Sequence, residues 1–128
     1  MVEDAPQKKK ILVVDDEPVV VEYFRAILES AGYEVDVAHE GREAFRKTNR
    51  QCYDLVHIDI RMPNWDGLDC ITSMQHVNPE IKVFVVSGVL TDDVLRELEE
   101  QPIVKGWIEK PVNPENYLRA IRTAIESE

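Results

Sequence analysis

Short apolar runs alternate along the chain with longer stretches of helical spacing. The runs are Ile11 to Val14, Val35 to Ala38 with Asp36 interrupting, Leu55 to Ile58, Val83 to Val86, and Val104 to Ile108. They are rich in Val and Ile and nearly continuous rather than alternating, the mark of strands covered on both faces. Between them lie five helix candidates. In the first, Val20, Phe24, Ile27, Leu28 and Ala31 recur at threes and fours, Pro18 suits the first turn, and Gly32 suits the left-handed residue past the last. The second runs from about Arg42 to Arg50 with Ala44, Phe45 and Thr48 inward, and the third from Leu68 to Val77 with Ile71 and Met74. Thr91 caps the fourth, which carries Val94, Leu95 and Leu98. Asn113 caps the fifth, Pro114 opens it, and Tyr117, Leu118, Ile121, Ala124 and Ile125 share one face. Pro102 is expected to end the fourth helix early.

Five strands alternating with five helices predict an α/β fold: one parallel sheet, right-handed crossovers, and helices on both faces. In such open sheets ligands bind outside the carboxyl ends of the strands. The first strand ends in Asp15, Asp16 and Glu17, the third in Asp59, the fourth in Ser87 and Gly88, and the fifth in Lys110 and Pro111. A parallel sheet brings all of these to one edge. Carboxylates crowded together repel unless a cation sits among them, and an all-oxygen cluster suits Mg²⁺ or Mn²⁺. A carboxylate can also attack phosphorus to form an acyl phosphate. Asp59 is the best nucleophile candidate, because the loop after it contains Pro63 and Gly67, which favour a fixed tight turn. That turn would present the Arg61 carbonyl to a metal. Lys110 and the Ser87 hydroxyl would then meet the phosphoryl oxygens. Singly, each of these features has an ordinary explanation as a helix cap, a turn or a loop; together, at four strand ends, they point to a site.

Charge changes the picture of partners. Lys and Arg number 15 against 25 Asp and Glu, a net charge of −10. That argues against nucleic acid as the main partner, since such binders rely on cations displacing counterions. Cys52 and Cys70 are too few for a disulfide framework or a zinc site. Neither a secretory signal nor an apolar run of membrane-spanning length is present, so a cytoplasmic protein without membrane contact is expected.

The stretches ILVVDDEP from Ile11, DLVHIDIRMPNWDGLD from Asp54, VFVVSG from Val83 and WIEKPV from Trp107 resemble the receiver domain of two-component response regulators, over roughly residues 9–127. The resemblance implies a flavodoxin-like sheet of strand order 2-1-3-4-5 and makes Asp59 the phosphoacceptor. Asp16, Asp59 and the Arg61 carbonyl would bind Mg²⁺, with Asp15 holding the ion through water. It further implies phosphoryl contacts from Ser87 and Lys110, a cis bond before Pro111, and a switch in which Ser87 and Trp107 move. Arg61 and Val89 occupy the positions that tune acyl-phosphate hydrolysis in relatives. Val89 offers no hydrogen bond to orient water, so a long-lived phosphoryl state is expected.

The implied function is a phosphoacceptor module rather than an enzyme. It would be served by a histidine kinase or histidine phosphotransfer domain and would act on a downstream protein through the face formed by helix 4, strand 5 and helix 5, as a monomer or a phosphorylation-dependent dimer. The organisation expected is a polar tail over residues 1–8 and a receiver over 9–128 without an output domain, either free-standing or part of a larger regulator or hybrid kinase. Two alternatives fit less well. A haloacid-dehalogenase-type phosphatase needs an acid two residues after its nucleophile, where Arg61 stands, and a flavin or nucleotide module needs a Gly-rich phosphate loop where Asp15, Asp16 and Glu17 stand. His57 reads as a packed strand histidine more readily than as a relay base, and His39 and His76 as ordinary loop and helix residues. Residues 91–100 hold five acids against Arg96, a solvated face that could also select a basic partner.

Overall fold

The computed structural model describes residues 8–61 and 67–128. Five strands, β1 (Lys10–Val14), β2 (Glu34–Ala38), β3 (Leu55–Ile58), β4 (Val83–Ser87) and β5 (Val104–Glu109), alternate with five helices, α1 (Pro18–Ser30), α2 (Gly41–Arg50), α3 (Gly67–Val77), α4 (Asp92–Glu99) and α5 (Pro114–Glu126). All pairings are parallel, in the order β2-β1-β3-β4-β5. The expected doubly wound, flavodoxin-like α/β architecture is therefore present.

The sheet divides the core in two. On one face Leu12, Val14, Val56, Ile58 and Val85 pack under Ala44 of α2, Ile71 and Met74 of α3, and Leu98 of α4. On the other, Ile11, Val13, Leu55, Phe84 and Val86 pack under Val21, Phe24 and Leu28 of α1 and Tyr117, Ile121 and Ile125 of α5. The central strands β1, β3 and β4 are buried on both sides, which explains their unbroken apolar runs. The edge strand β2 alternates instead, and its half-buried Asp36 accepts from the Tyr53 hydroxyl at 2.7 Å and from Lys47 Nζ at 3.2 Å. A charge placed inside an edge strand discourages pairing with a further strand.

Helix signals were well placed, with one shift of face. Gly32 adopts φ +95° after α1, Thr91 accepts from the Val94 amide, and Asn113 from the Asn116 amide. In α1, however, Val21 is fully buried while Val20 is half-buried and Ala31 exposed. The helix is turned so that Val21, Phe24 and Leu28 lie under the sheet. α4 has only eight residues, as Pro102 led us to expect.

Candidate functional site

The carboxyl ends of β1, β3, β4 and β5 meet at one edge. Backbone bonds fix the loops there: the Asp59 amide donates to the Val14 carbonyl at 3.1 Å and the Lys110 amide to the Ser87 carbonyl at 2.9 Å. The bond between Lys110 and Pro111 is cis.

Lys110 is the centre of the arrangement. Its ammonium lies 2.9 Å from Asp59 Oδ2 and 3.2 Å from Asp15 Oδ2. Each carboxylate has a second donor on its other oxygen: the Arg61 amide reaches Asp59 Oδ1 at 2.8 Å, and the Glu17 amide reaches Asp15 Oδ1 at 3.0 Å. Asp15 is completely buried and Asp59 is 6% exposed. Burial pushes the Asp15 carboxyl above the usual aspartate range, against the opposing pull of the Glu17 amide and Lys110. Burial also pulls the Lys110 ammonium down, but its hydrogen bond to Asp59 and the charges of both aspartates outweigh that and hold it above its ordinary value.

Asp15, Asp16 and Glu17 bring carboxylate oxygens within 4.8 Å of one another. This hard, all-oxygen donor set fits Mg²⁺ or Mn²⁺. Glu17 is the member that sequence reasoning left out of the ligand set. Its place beside Asp15 and Asp16, directly before Pro18 of α1, was the available signal.

The remaining expected residues fall as follows. Ser87 is fully buried, and its hydroxyl donates to the Val89 carbonyl at 3.5 Å; Val89 itself is exposed. Trp107 is half-buried and packs against the core under α2, α3 and α4. Gly67 opens α3, and its amide donates to the Ile60 carbonyl at 3.1 Å. A side chain there would run into the Ile60 backbone, so the close approach accounts for the glycine. Pro63 lies outside the described residues. At Gly88 an added Cβ would meet nothing within 4 Å, so the mouth beside Ser87 is open.

His57, two residues before Asp59, is fully buried. Its Nδ1 is 2.7 Å from the Tyr117 hydroxyl, and its ring stands edge-on to Phe24 at 4.6 Å. Burial, with Lys110 adding to it, pulls its pKa down to about 3. That makes His57 a packed, neutral residue. The bond to Tyr117 was invisible in the sequence, where the two stand 60 positions apart.

Beside Lys110, the side chains of Val19, Val20, Tyr23, Phe24, Pro111 and Val112 line an open apolar hollow of about 490 Å³. Val19 is 82% exposed there. No helix among the described residues is long and apolar enough to cross a membrane.

A family model described as the response regulator receiver domain matches residues 11–122. The transcriptional regulatory protein GlrR of Escherichia coli K12 is 34% identical over 118 residues, 91% of this chain and 26% of that protein. The chemotaxis protein CheY of Thermotoga maritima is 32% identical over 114 residues, 88% of this chain and 94% of that protein. The chain thus spans about a quarter of the length of the longer regulators it matches. Among solved structures, the response regulator protein TrrA of Thermotoga maritima, in complex with Mg²⁺ and BeF, superposes with a TM-score of 0.81 at 29% identity. The match covers 91% of this chain and 98% of that one.

Proposed function

The chain belongs to the response regulator receiver domain family of two-component signalling, and from that membership we propose that it accepts a phosphoryl group on Asp59 from a phosphohistidine donor. The observation that carries this reading is the single ammonium of Lys110 bridging two buried carboxylates, Asp15 and Asp59, at the carboxyl edge of the sheet. An oxygen of Asp59 forms a bond to phosphorus as the bond from phosphorus to the donor imidazole nitrogen breaks. Lys110 follows the incoming oxygens, and the Ser87 hydroxyl turns from the Val89 carbonyl to donate to them. Asp15, Asp16, Asp59 and the Arg61 carbonyl would hold Mg²⁺, with Glu17 close enough to take part. When bound, the ion supplies positive charge that offsets the repulsion between phosphoryl oxygens and the site's own carboxylates.

Several supports are independent of the nucleophile. The open mouth at Gly88 admits a donor side chain, and the apolar hollow beside Lys110 offers a surface on which a donor protein could rest. Downstream signalling would use the face formed by α4, β5 and α5, with Trp107 and Ser87 as the moving parts. The exposed, apolar Val89 and the solvent-facing Arg61 would leave the acyl phosphate long-lived. GlrR supports a second arrangement, in which this chain is the receiver portion of a longer regulator. A coding sequence continuing past Glu128 into an effector would establish it.

Intact-mass measurement after incubation with acetyl phosphate and Mg²⁺ tests the chemistry. One phosphoryl adduct is expected on the parent chain and none on Asp59→Asn. An unmodified parent, or an adduct that persists in Asp59→Asn, would overturn the assignment.

A further inference from the structure

The phosphoacceptor edge and the apolar hollow beside it have one residue in common. Lys110 lines the hollow and holds its ammonium 2.9 Å from Asp59 Oδ2. Cationic and apolar binding groups therefore adjoin, the ammonium on one side and the side chains of Val19, Tyr23, Phe24 and Val112 on the other. A small molecule with an anionic head and an apolar body can touch both at once.

The hollow is already shaped before anything enters it. Its inner wall is the Phe24 ring, which is 2% exposed and held among three others, Tyr23 at 5.2 Å, His57 at 4.6 Å and Tyr117 at 4.9 Å between ring centres. Its rim is Val19 and Tyr23, one turn apart on α1 and 82% and 47% exposed. A wall that needs no rearrangement loses little conformational freedom when it is covered. At about 490 Å³ the space falls in the range of small-ligand pockets. The single methyl group of acetyl phosphate would leave most of it empty, whereas an aromatic ring would cover its wall.

We infer that the hollow seats the acyl group of an aromatic acyl phosphate and so makes that class of small molecule a preferred phosphodonor to Asp59. This rests on the reading of Asp59 as phosphoacceptor and names a further substrate class for the same site. The transfer balances without a proton. An Asp59 oxygen forms its bond to phosphorus as the bond from phosphorus to the acyl oxygen breaks, and the electron pair leaves with the aromatic carboxylate. Lys110, at the boundary, meets the phosphoryl oxygens while the ring lies against Tyr23, Phe24 and Val112. A neutral aromatic molecule lacks the head that the ammonium attracts, and a short acyl phosphate lacks the body that the hollow covers.

The test compares benzoyl phosphate with acetyl phosphate as donors to the whole chain in the presence of Mg²⁺, with the adduct followed by intact mass. Differences in donor reactivity enter the maximal rate, and seating enters the half-saturating concentration, which is therefore the quantity to read. It should be about tenfold lower for benzoyl phosphate, on the scale of partly burying one phenyl ring. Tyr23→Ala and Val19→Ser, both on the exposed rim, should each shrink that ratio, Tyr23→Ala to about threefold or less as part of the burial is lost. Val77→Ala, at an exposed apolar position of α3, should leave it as it is. By NMR, benzylphosphonate, whose phosphorus–carbon bond blocks transfer, should shift the amides of Val20, Tyr23 and Val112 and leave those of α3 unmoved. Equal half-saturating concentrations, a ratio indifferent to both rim variants, or no shifts around the hollow would overturn the inference, while uptake from acetyl phosphate would leave the reading of Asp59 standing. Uptake from neither donor would overturn both.

Discussion

The buried pair His57 and Tyr117 gives the stability of this domain a pH dependence of calculable size. With its pKa pulled down to about 3 by burial and by Lys110, the folded imidazole stays neutral, while in the unfolded chain it takes up a proton near pH 6.5. Between those values the unfolded state binds about one proton more than the folded state. Stability therefore rises with pH by about 1.4 kcal/mol per unit in this window. The contribution is complete above about pH 7 and is lost progressively as pH falls from 6.5 toward 3. Between pH 7 and pH 5 the loss from this one group is about 2 kcal/mol, or roughly 6–10 °C in Tm for a domain of this size.

Other groups titrate nearby, so the perturbation has to isolate the imidazole. Asp15, raised by burial, works in the opposite direction, because ionising it costs more in the folded state as pH rises. Asp36 is pushed up by burial, but the Tyr53 hydroxyl and Lys47 hold it below the usual range. It loses its contribution only as pH falls through its lowered folded value. The variant His57→Leu/Tyr117→Phe keeps both aspartates and leaves neither member of the hydrogen bond orphaned, so its stability at pH 7 should be near the parent's. Urea denaturation followed by circular dichroism, on both proteins at pH 7 and pH 5, reads the difference. The parent should lose about 2 kcal/mol more than the variant on acidification. Equal losses, or an imidazole that titrates between pH 6 and 7 by NMR in the folded protein, would refute the reasoning.

Three further outcomes follow from the packing and charge. Gly67→Ala drives a methyl group into the Ile60 backbone and should cost about 1–3 kcal/mol in urea denaturation, the range for overpacking. Thr91→Ala removes the side-chain acceptor of the Val94 amide and should cost about 1 kcal/mol by the same measurement, confined to the short α4. Lys110→Met leaves Asp15 and Asp59 without their shared cation. Added Mg²⁺ should then raise Tm more than in the parent, with an apparent affinity about a hundredfold higher if the lost charge stood about 6 Å from the doubly charged ion in an effective dielectric of about 40.

The sequence pattern located all five strands and all five helices because each strand is buried on both faces or bounded by turn residues, and each helix keeps a face of apolar residues at threes and fours. What it misjudged was rotational detail. Val20 and Val21 are equally apolar, and only the packing of α1 against β1 and α5 decides which is buried. The strand-end residues were legible as a group because parallel topology forces them to one edge. Their pairings were not: that Lys110 would bridge Asp15 and Asp59, and that Ser87 would face Val89, depends on loop conformation. The same holds for the register of β5 against β4. A Gly among Lys105, Trp107 and Ile108 reads as an interruption, and only the one-residue slip against β4 shows where its missing side chain leaves space.

The charge balance of the site explains why these groups hold together. Asp15 and Asp59 are taken out of water almost completely, and two buried carboxylates side by side are unfavourable unless a cation offsets them. Lys110 supplies that charge from the position just after β5, while the Glu17 and Arg61 amides satisfy the remaining oxygens. With Asp16 and Glu17 adjoining, four carboxylates stand against one ammonium, so the site is short of positive charge even before a phosphoryl group arrives. A phosphoryl group on Asp59 would add further negative oxygens and compete for Lys110. The ammonium then could not serve Asp15, Asp59 and the newcomer equally, and its displacement would be felt along β5, whose Lys110 amide is tied to the Ser87 carbonyl.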